Sequence, residues 1–233
     1  CERLFGQNLC QHGFAEMCHL HRLMDLTRLD ATHHVLDLGC GNGMIAEYLS
    51  DRTGAHIVGI DFIEEAIEHA QVRTARKRNR LEFEVGDMAL LDFGAESFDL
   101  VLAIDALYFT DLEQTVKEIR RVARPGGILA AFYSYGRLPG EPLESFSELV
   151  LRPEGTPLAH VLNKAGLPYR TWDYTQADYL HARHKRQIAK ALKPLFEAEG
   201  NLFLYENHAG EAAGVMEAIE ARAHSRYLYL VNL

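Results

Sequence analysis

The stretch from residue 34 to residue 43 constrains the fold of this chain more than any other feature. It begins with an apolar run, His34 to Leu38, which contains an acid at Asp37 and leads into a loop with glycine at every second position. Glycine lets the backbone turn sharply and approach a ligand closely. A helical pattern from Met44 to Leu49 follows, and backbone N–H groups at a helix start point toward such a loop. The pattern predicts a ligand site at the end of a buried strand.

The acid beside the glycine loop indicates the charge of the ligand. A carboxylate at Asp37 would repel a bound pyrophosphate and attract a cationic amine. The full pattern, Asp37-x-Gly39-x-Gly41-x-Gly43, resembles the first motif of the class I S-adenosylmethionine-dependent methyltransferases. That resemblance implies a doubly wound α/β sheet of seven strands, with the last strand antiparallel and set between the fifth and the sixth. It also implies S-adenosyl-L-methionine as the cofactor.

The hydrophobic pattern alternates strands with helices through the first 135 residues. Several predicted strands are near-continuous apolar runs, which is typical of a mostly parallel sheet covered by helices on both faces. Strands are predicted at about 34–38, 56–60, 81–85, 98–104 and 127–134, and helices at about 43–52, 62–77 and 111–123. The turn Pro125-Gly126-Gly127 is expected to end the third of these helices.

The last hundred residues are predicted to contain more helix than the first 135. Helices are predicted at about 157–165, 176–199 and 211–223, and strands at about 169–174 and 227–231. We therefore expect one methyltransferase domain over residues 1–233. Its parts are an N-terminal lid segment (1–30), a cofactor-binding core (31–135) and a C-terminal half (136–233) with a helical insertion (176–223).

Two further acids lie at strand ends, as the resemblance requires. Asp61 ends the second predicted strand about 20 residues after the loop, where a carboxylate can accept both hydroxyls of a ribose. Asp87 follows the third strand, and the resemblance assigns it to the adenine amino group, with the next backbone N–H on a ring nitrogen. The cofactor-binding residues predicted on this basis are Asp37, Gly39, Cys40, Gly41, Asp61, Phe62, Asp87, Met88 and Ile104.

Each acid also has a purely structural interpretation, and two other functions compete. Any one of the three acids could cap a turn or a helix, but three at these spacings behind a glycine loop favour a ligand. Gly41-x-Gly43-x-x-Ala46 satisfies a loose dinucleotide fingerprint, so an NAD(P)-dependent oxidoreductase is the rival enzyme. Asp37 and the Gly86-Asp87 pair speak against it. A catalytically silent cofactor-binding protein of the same fold is the third hypothesis.

The methyl acceptor is the least determined part of the prediction. Tyr108 lies just past the carboxyl end of the fourth predicted strand and Tyr133 lies at the carboxyl end of the fifth, where ligands of open α/β sheets bind. His12, in a loop that loosely resembles a glycine–histidine lid segment, is the third substrate candidate. The sequence indicates no residue as a general base, so no catalytic residue is assigned. The expected acceptor is a small molecule.

Composition excludes several classes of partner. The net charge of −9 disfavours binding to a phosphate backbone, and the basic run at 73–80 suits the C-terminal end of a helix. No apolar run approaches the length of a membrane helix. Four cysteines without a CxxC pair indicate free thiols, a reducing, cytoplasmic compartment and no metal site. We expect a monomer or homodimer, and a short N-terminal piece preceding Cys1.

The extra helices need a surface to bury their apolar stripes, because helices between strands already cover both sheet faces. Residues 1–28 and 176–223 are therefore expected to roof the carboxyl ends of the strands and to enclose a pocket lined by Tyr108. Such a lid would exclude water from the methyl transfer. Its amide hydrogen exchange should slow when S-adenosylhomocysteine is added.

Overall fold

The computed structural model describes residues 1–9, 14–136 and 147–233 of the chain. The chain forms two compact units. Three of its strands begin in one unit and end in the other. The core unit comprises Leu9–Tyr133, Pro157–Thr171 and Leu228–Leu233, and the helical unit comprises Cys1–Asn8, Ser134–Thr156 and Trp172–Tyr227.

A seven-stranded sheet is the central element of the fold, in the strand order β3-β2-β1-β4-β5-β7-β6. The first four strands end at the edge where the sequence predicts the ligand. The strands are β1 (His34–Leu38), β2 (His56–Asp61), β3 (Leu81–Val85), β4 (Phe98–Ile104), β5 (Ala123–Gly136), β6 (Tyr169–Asp173) and β7 (His224–Asn232).

The pairing of the strands agrees with the predicted fold class. Strands β1 to β5 pair in parallel, with Asp37 of β1 opposite Gly59 of β2. At β7 the direction reverses: the Leu233 N–H donates to the Gly127 carbonyl at 2.9 Å near the start of β5, whereas Gly136 at its end lies beside Ala223. The last strand is thus antiparallel and lies between the fifth and the sixth, which confirms the prediction.

Helices connect the parallel strands and bury the apolar faces of the sheet. In the core unit most side chains of β1 and β4 are buried, as are residues 129–133 of β5. The α-helices are α1 (Glu2–Phe5), α2 (Met17–Thr27), α3 (Met44–Thr53), α4 (Glu64–Arg73), α5 (Leu112–Val122), α6 (Pro157–Lys164), α7 (Thr175–Ala198) and α8 (Leu202–Glu220). Short 3-10 helices cover Ala75–Lys77, Leu107–Phe109 and Glu148–Leu151.

Several element boundaries differ from the sequence prediction, and two of the differences have a clear physical reason. Helix α8 begins at Leu202, well before residue 211, because Gly200 takes a left-handed conformation (φ 70°) that ends α7. The apolar residues that follow Gly200 are not spaced with a clear helical periodicity. Strand β5 begins at Ala123, so the predicted turn at Pro125 lies inside the strand. The β4–β5 register shifts there, as proline in a strand requires.

A buried ion pair connects α7 and β7 within the helical unit. The Asp178 carboxylate of α7 accepts a hydrogen bond from the Arg226 guanidinium of β7 at 3.0 Å, and both side chains are almost inaccessible to solvent. In the same unit, α1 packs on α7 through Phe5 and His181, whose ring centroids are 4.9 Å apart. The N-terminal residues therefore pack against the helical insertion, while their expected role as a lid stays a prediction.

Candidate cofactor site

The glycine loop is tied to the end of its neighbouring strand β2. The backbone N–H groups of Gly39 and Cys40 both donate to the Ile60 carbonyl, at 2.9 and 3.0 Å. The next N–H, of Gly41, donates to Oδ2 of Asp61 at 2.8 Å. A pyrophosphate site needs such N–H groups to point at the ligand, and here three of them serve the protein instead. The loop geometry therefore disfavours a dinucleotide.

Two glycines of the loop are required for different reasons. Gly39 has a φ of 72°, and a Cβ built on it would lie 2.6 Å from Cβ of Ala106 and 3.8 Å from Cε of Met88. Gly41 has a φ of 54°, but no atom of the described residues lies within 4 Å of its Cβ position. Gly39 thus allows close packing with the loop after β4, and Gly41 leaves open space for a ligand.

Asp37 is a buried carboxylate that lacks a partner within the described residues. Its side chain is 3% exposed, and no hydrogen-bond donor contacts it in that part of the chain. Burial, followed by repulsion from Asp61, raises the pKa of the Asp37 carboxyl from 3.8 to about 7. Because an unpaired buried charge is costly, the arrangement favours a cationic group of a ligand at this position.

The raised pKa of Asp37 makes the stability of the ligand-free protein depend on pH. The folded state binds the proton more tightly than the unfolded state, so stability is fully present below pH 3.8 and is lost as pH rises toward about 7. We expect urea unfolding to give a lower free energy of unfolding at about pH 8 than at about pH 5. The difference should be on the order of a few kcal/mol.

An Asp37→Asn variant is the matched control, because it keeps the shape of the side chain and removes the titration. Its stability should change less over the same pH range, and at about pH 8 it should exceed that of the wild type. Equal pH profiles for the two proteins would show that this carboxyl does not carry the dependence.

Asp61 lies where β2 ends and connects three parts of the site. In addition to the bond from Gly41, its Oδ1 accepts from the Ile63 N–H at 3.0 Å, ahead of α4. The side chain is 8% exposed, and the ring of Phe62 beside it is 70% exposed. A carboxylate has about four acceptor positions, so two remain for a diol. Asp61 is therefore both a structural tether and a candidate for the ribose.

The remaining predicted cofactor residues lie around the same strand ends. Asp87, after β3, is exposed, and its Oδ1 accepts from the Ala89 N–H at 2.8 Å. Met88 is half-buried and lies close to Gly39. Ile104 is the half-buried last residue of β4. The structure thus brings these side chains to the edge of the sheet that carries the glycine loop.

Cys40 faces into the protein rather than toward open space. Its Sγ would lie 2.8 Å from a Cβ built on Gly59, so it fills the space beside that glycine of β2. Burial, together with the neighbouring acids Asp37 and Asp61, raises the pKa of the Cys40 thiol far above its usual range. The thiol stays protonated and is a poor nucleophile.

The substrate candidates have different outcomes. Tyr108 is 40% exposed, and its ring centroid is 5.1 Å from that of the buried Tyr133. His12 lies outside the described residues. A further strand-end acid, not among the predicted site residues, is Asp105, whose carboxylate accepts a hydrogen bond from the Tyr108 hydroxyl at 3.1 Å. Its position directly after β4, like that of the other strand-end acids, was the available signal.

A small group of possible metal ligands occurs at the start of α2. One ligand atom each from Glu16, Cys18 and His19 lie within 4.8 Å of one another. The Glu16 and His19 side chains, however, form a capping box with the backbone of the first turn, which satisfies orphan N–H groups. We assign the group to helix capping, since the positive end of a helix disfavours a cation.

Known proteins resemble both the sequence and the fold. Residues 36–131 match the family model described as a methyltransferase domain. Methyltransferase GfsG of Streptomyces halstedii is 39% identical over 44% of this chain and 39% of its own length. Sterol 24-C-methyltransferase ERG6B of Gibberella zeae is 35% identical over 49% of this chain and 31% of its own length. The chain thus spans well under half of these curated relatives.

A solved structure extends the likeness of the fold over almost the whole chain. Phosphoethanolamine N-methyltransferase 2 of Haemonchus contortus, in complex with S-adenosyl-L-methionine, superposes with a TM-score of 0.83 at 20% sequence identity. The superposition covers 99% of this chain and 55% of that one.

Strand order, the antiparallel last strand and the tethered glycine loop together define the class I methyltransferase fold. Through residues 36–131 the chain resembles the family of methyltransferase domains. The predicted resemblance and fold class are confirmed.

Proposed function

We propose that this protein binds S-adenosyl-L-methionine and transfers its methyl group to a small-molecule acceptor. The observation that carries the proposal is Asp37, a buried carboxylate beside a glycine loop whose first N–H groups are already satisfied. Such a site suits a cationic ligand with a ribose better than a pyrophosphate. The cofactor carries an ammonium group and a sulfonium, and both are cations.

The proposed roles are those that the family resemblance implies for side chains at this edge of the sheet. Asp37, Gly39 and Gly41 hold the methionyl part, and Asp61 binds the ribose hydroxyls. Asp87, with Met88, binds the adenine. The bound cofactor supplies a methyl carbon activated by its sulfonium, so the protein mainly has to align the acceptor and exclude water.

A small molecule is the proposed acceptor because the surface offers little to a nucleic acid. The net charge is −9, and Arg73, Lys77 and Arg80 of the basic run at 73–80 are engaged in ion pairs. Lys77 contacts both Glu47 and Asp51 at 2.6 Å, and Arg73 contacts Glu47 at 2.7 Å. These cations therefore brace α3 and are not displayed to a phosphate backbone. We propose a monomer or homodimer.

Cellular location is a separate part of the proposal. Cys1, Cys18 and Cys40 are free thiols, which supports a reducing, cytoplasmic compartment. Within the described part of the chain, no helix combines the length and the apolar character needed to cross a membrane.

Thermal unfolding with added ligands tests the proposal. S-adenosylhomocysteine at about 100 times its dissociation constant should stabilise the fold by about 2.7 kcal/mol, which raises the melting temperature by about 5–10 °C. NAD at the same concentration should leave it unchanged. A shift with NAD and none with S-adenosylhomocysteine would reverse the assignment in favour of an oxidoreductase.

A further inference from the structure

Four adjacent parallel strands of the core unit carry an aspartate at or just beyond the same edge of the sheet. Asp37 lies in β1, Asp61 ends β2, Asp87 follows β3 and Asp105 follows β4. The proposed cofactor roles use the first three, and Asp105 has none. Its surroundings differ from those of the others, because aromatic rings accompany it.

Tyr108 connects Asp105 to a group of three aromatic side chains. Its hydroxyl donates to Oδ1 of Asp105 at 3.1 Å. Its ring centroid lies 5.1 Å from that of Tyr133 and 6.0 Å from that of Phe109. Phe109 is 76% exposed and Tyr108 is 40% exposed, so these aromatic side chains are accessible from the core unit's own surface. A carboxylate beside accessible aromatic rings is suited to an organic cation.

The group is adjacent to the cofactor loop. Ala106, the next residue after Asp105, packs so closely on Gly39 that a Cβ there would lie 2.6 Å from its methyl group. Two residues before Gly39, the Asp37 carboxylate is 3% exposed and has no partner within the described residues, which independently indicates a ligand here. The segment 105–109 therefore starts beside the proposed position of the methionyl group.

We propose that Asp105 and Tyr108 bind an amine as the methyl acceptor, so that the enzyme methylates nitrogen. This inference rests on the proposed methyltransferase function. A carboxylate in contact with the acceptor favours an ammonium over a carboxylate or phenolate ligand, and the aromatic rings can face the cation. The net charge of −9 attracts the same class of molecule.

The reaction needs the neutral form of the amine. The bound ammonium loses one proton to the Asp105 carboxylate. The transfer is direct or passes through the Tyr108 hydroxyl, which gives its own proton to Asp105 and takes the proton of the ammonium. The nitrogen lone pair then forms the bond to the methyl carbon. The carbon–sulfur bond breaks, and its electron pair stays on sulfur, which becomes the neutral thioether of S-adenosylhomocysteine.

Choline and its neutral carbon isostere, 3,3-dimethylbutan-1-ol, are the probes that test the inference. Calorimetry on the protein saturated with S-adenosylhomocysteine should show choline binding at least about tenfold more tightly than the isostere. In Asp105→Asn and Tyr108→Ala this preference should fall by about tenfold. Asparagine tolerates the positive φ of residue 105 (53°), so the first variant should fold. Asp92→Asn, at an exposed acid, should behave like the wild type.

The two levels of the proposal fail separately. If S-adenosylhomocysteine binds but choline has no advantage over its isostere, or keeps its advantage in Asp105→Asn, the amine site is wrong and the cofactor assignment stands. If S-adenosylhomocysteine does not bind the wild type, the methyltransferase function itself is overturned. If Asp105→Asn and Tyr108→Ala both bind S-adenosylhomocysteine with unchanged affinity, the two substitutions act on the binding of the acceptor.

Discussion

Replacing Gly39 by alanine is expected to lower the free energy of unfolding by about 2–4 kcal/mol and to abolish measurable binding of S-adenosylhomocysteine. The added Cβ would lie 2.6 Å from Cβ of Ala106, at a φ of 72°. Both the clash and the left-handed backbone act on the loop that is proposed to hold the cofactor. Urea unfolding and calorimetry would measure the two effects.

Gly41→Ala is the matched control for this prediction. Its φ is 54°, but no atom of the described residues lies within 4 Å of the new Cβ, so only the backbone strain of about 1–2 kcal/mol remains. Ligand affinity should still fall, because the methyl group occupies the open space. Equal stability losses in the two variants would show that the contact with Ala106 relaxes freely.

Replacing Asp61 by alanine is expected to weaken binding of S-adenosylhomocysteine at least about a hundredfold. Two hydrogen bonds from ribose hydroxyls to a charged acceptor contribute about 1.5–3 kcal/mol each, and about 1.4 kcal/mol corresponds to a factor of ten. The protein should also lose about 1–3 kcal/mol of stability. Both the Gly41 and Ile63 N–H groups lose their acceptor. Calorimetry and urea unfolding measure the two losses.

Two further variants separate the two roles of Asp61, as the acceptor for the Gly41 and Ile63 N–H groups and as the proposed contact of the ligand. Asp61→Asn keeps one oxygen for Ile63 and should lose less stability than alanine, while ligand affinity still falls. Asp87→Ala removes an exposed acid bonded to the Ala89 N–H and should spare stability. If a folded Asp61→Ala variant binds S-adenosylhomocysteine with wild-type affinity, Asp61 has only a structural role.

The sequence alone determined the local elements and their class of fold. Apolar runs near 34–38 and 98–104 are typical of strands buried on both faces, and the glycines after Leu38 allow a sharp turn. Both follow from properties of neighbouring residues. The position of the antiparallel last strand followed from the family resemblance, and the strand-end acids came from their spacing.

Only the tertiary structure decided what those acids do within the protein. The burial that raises the pKa of Asp37 comes from strands distant in sequence, and the bond between Asp61 and Gly41 spans twenty residues. Asp105 acquires its significance from Tyr108 and from the contact of Ala106 with Gly39. Burial, charge coupling and close packing depend on three-dimensional neighbours, which a periodic pattern along one chain does not specify.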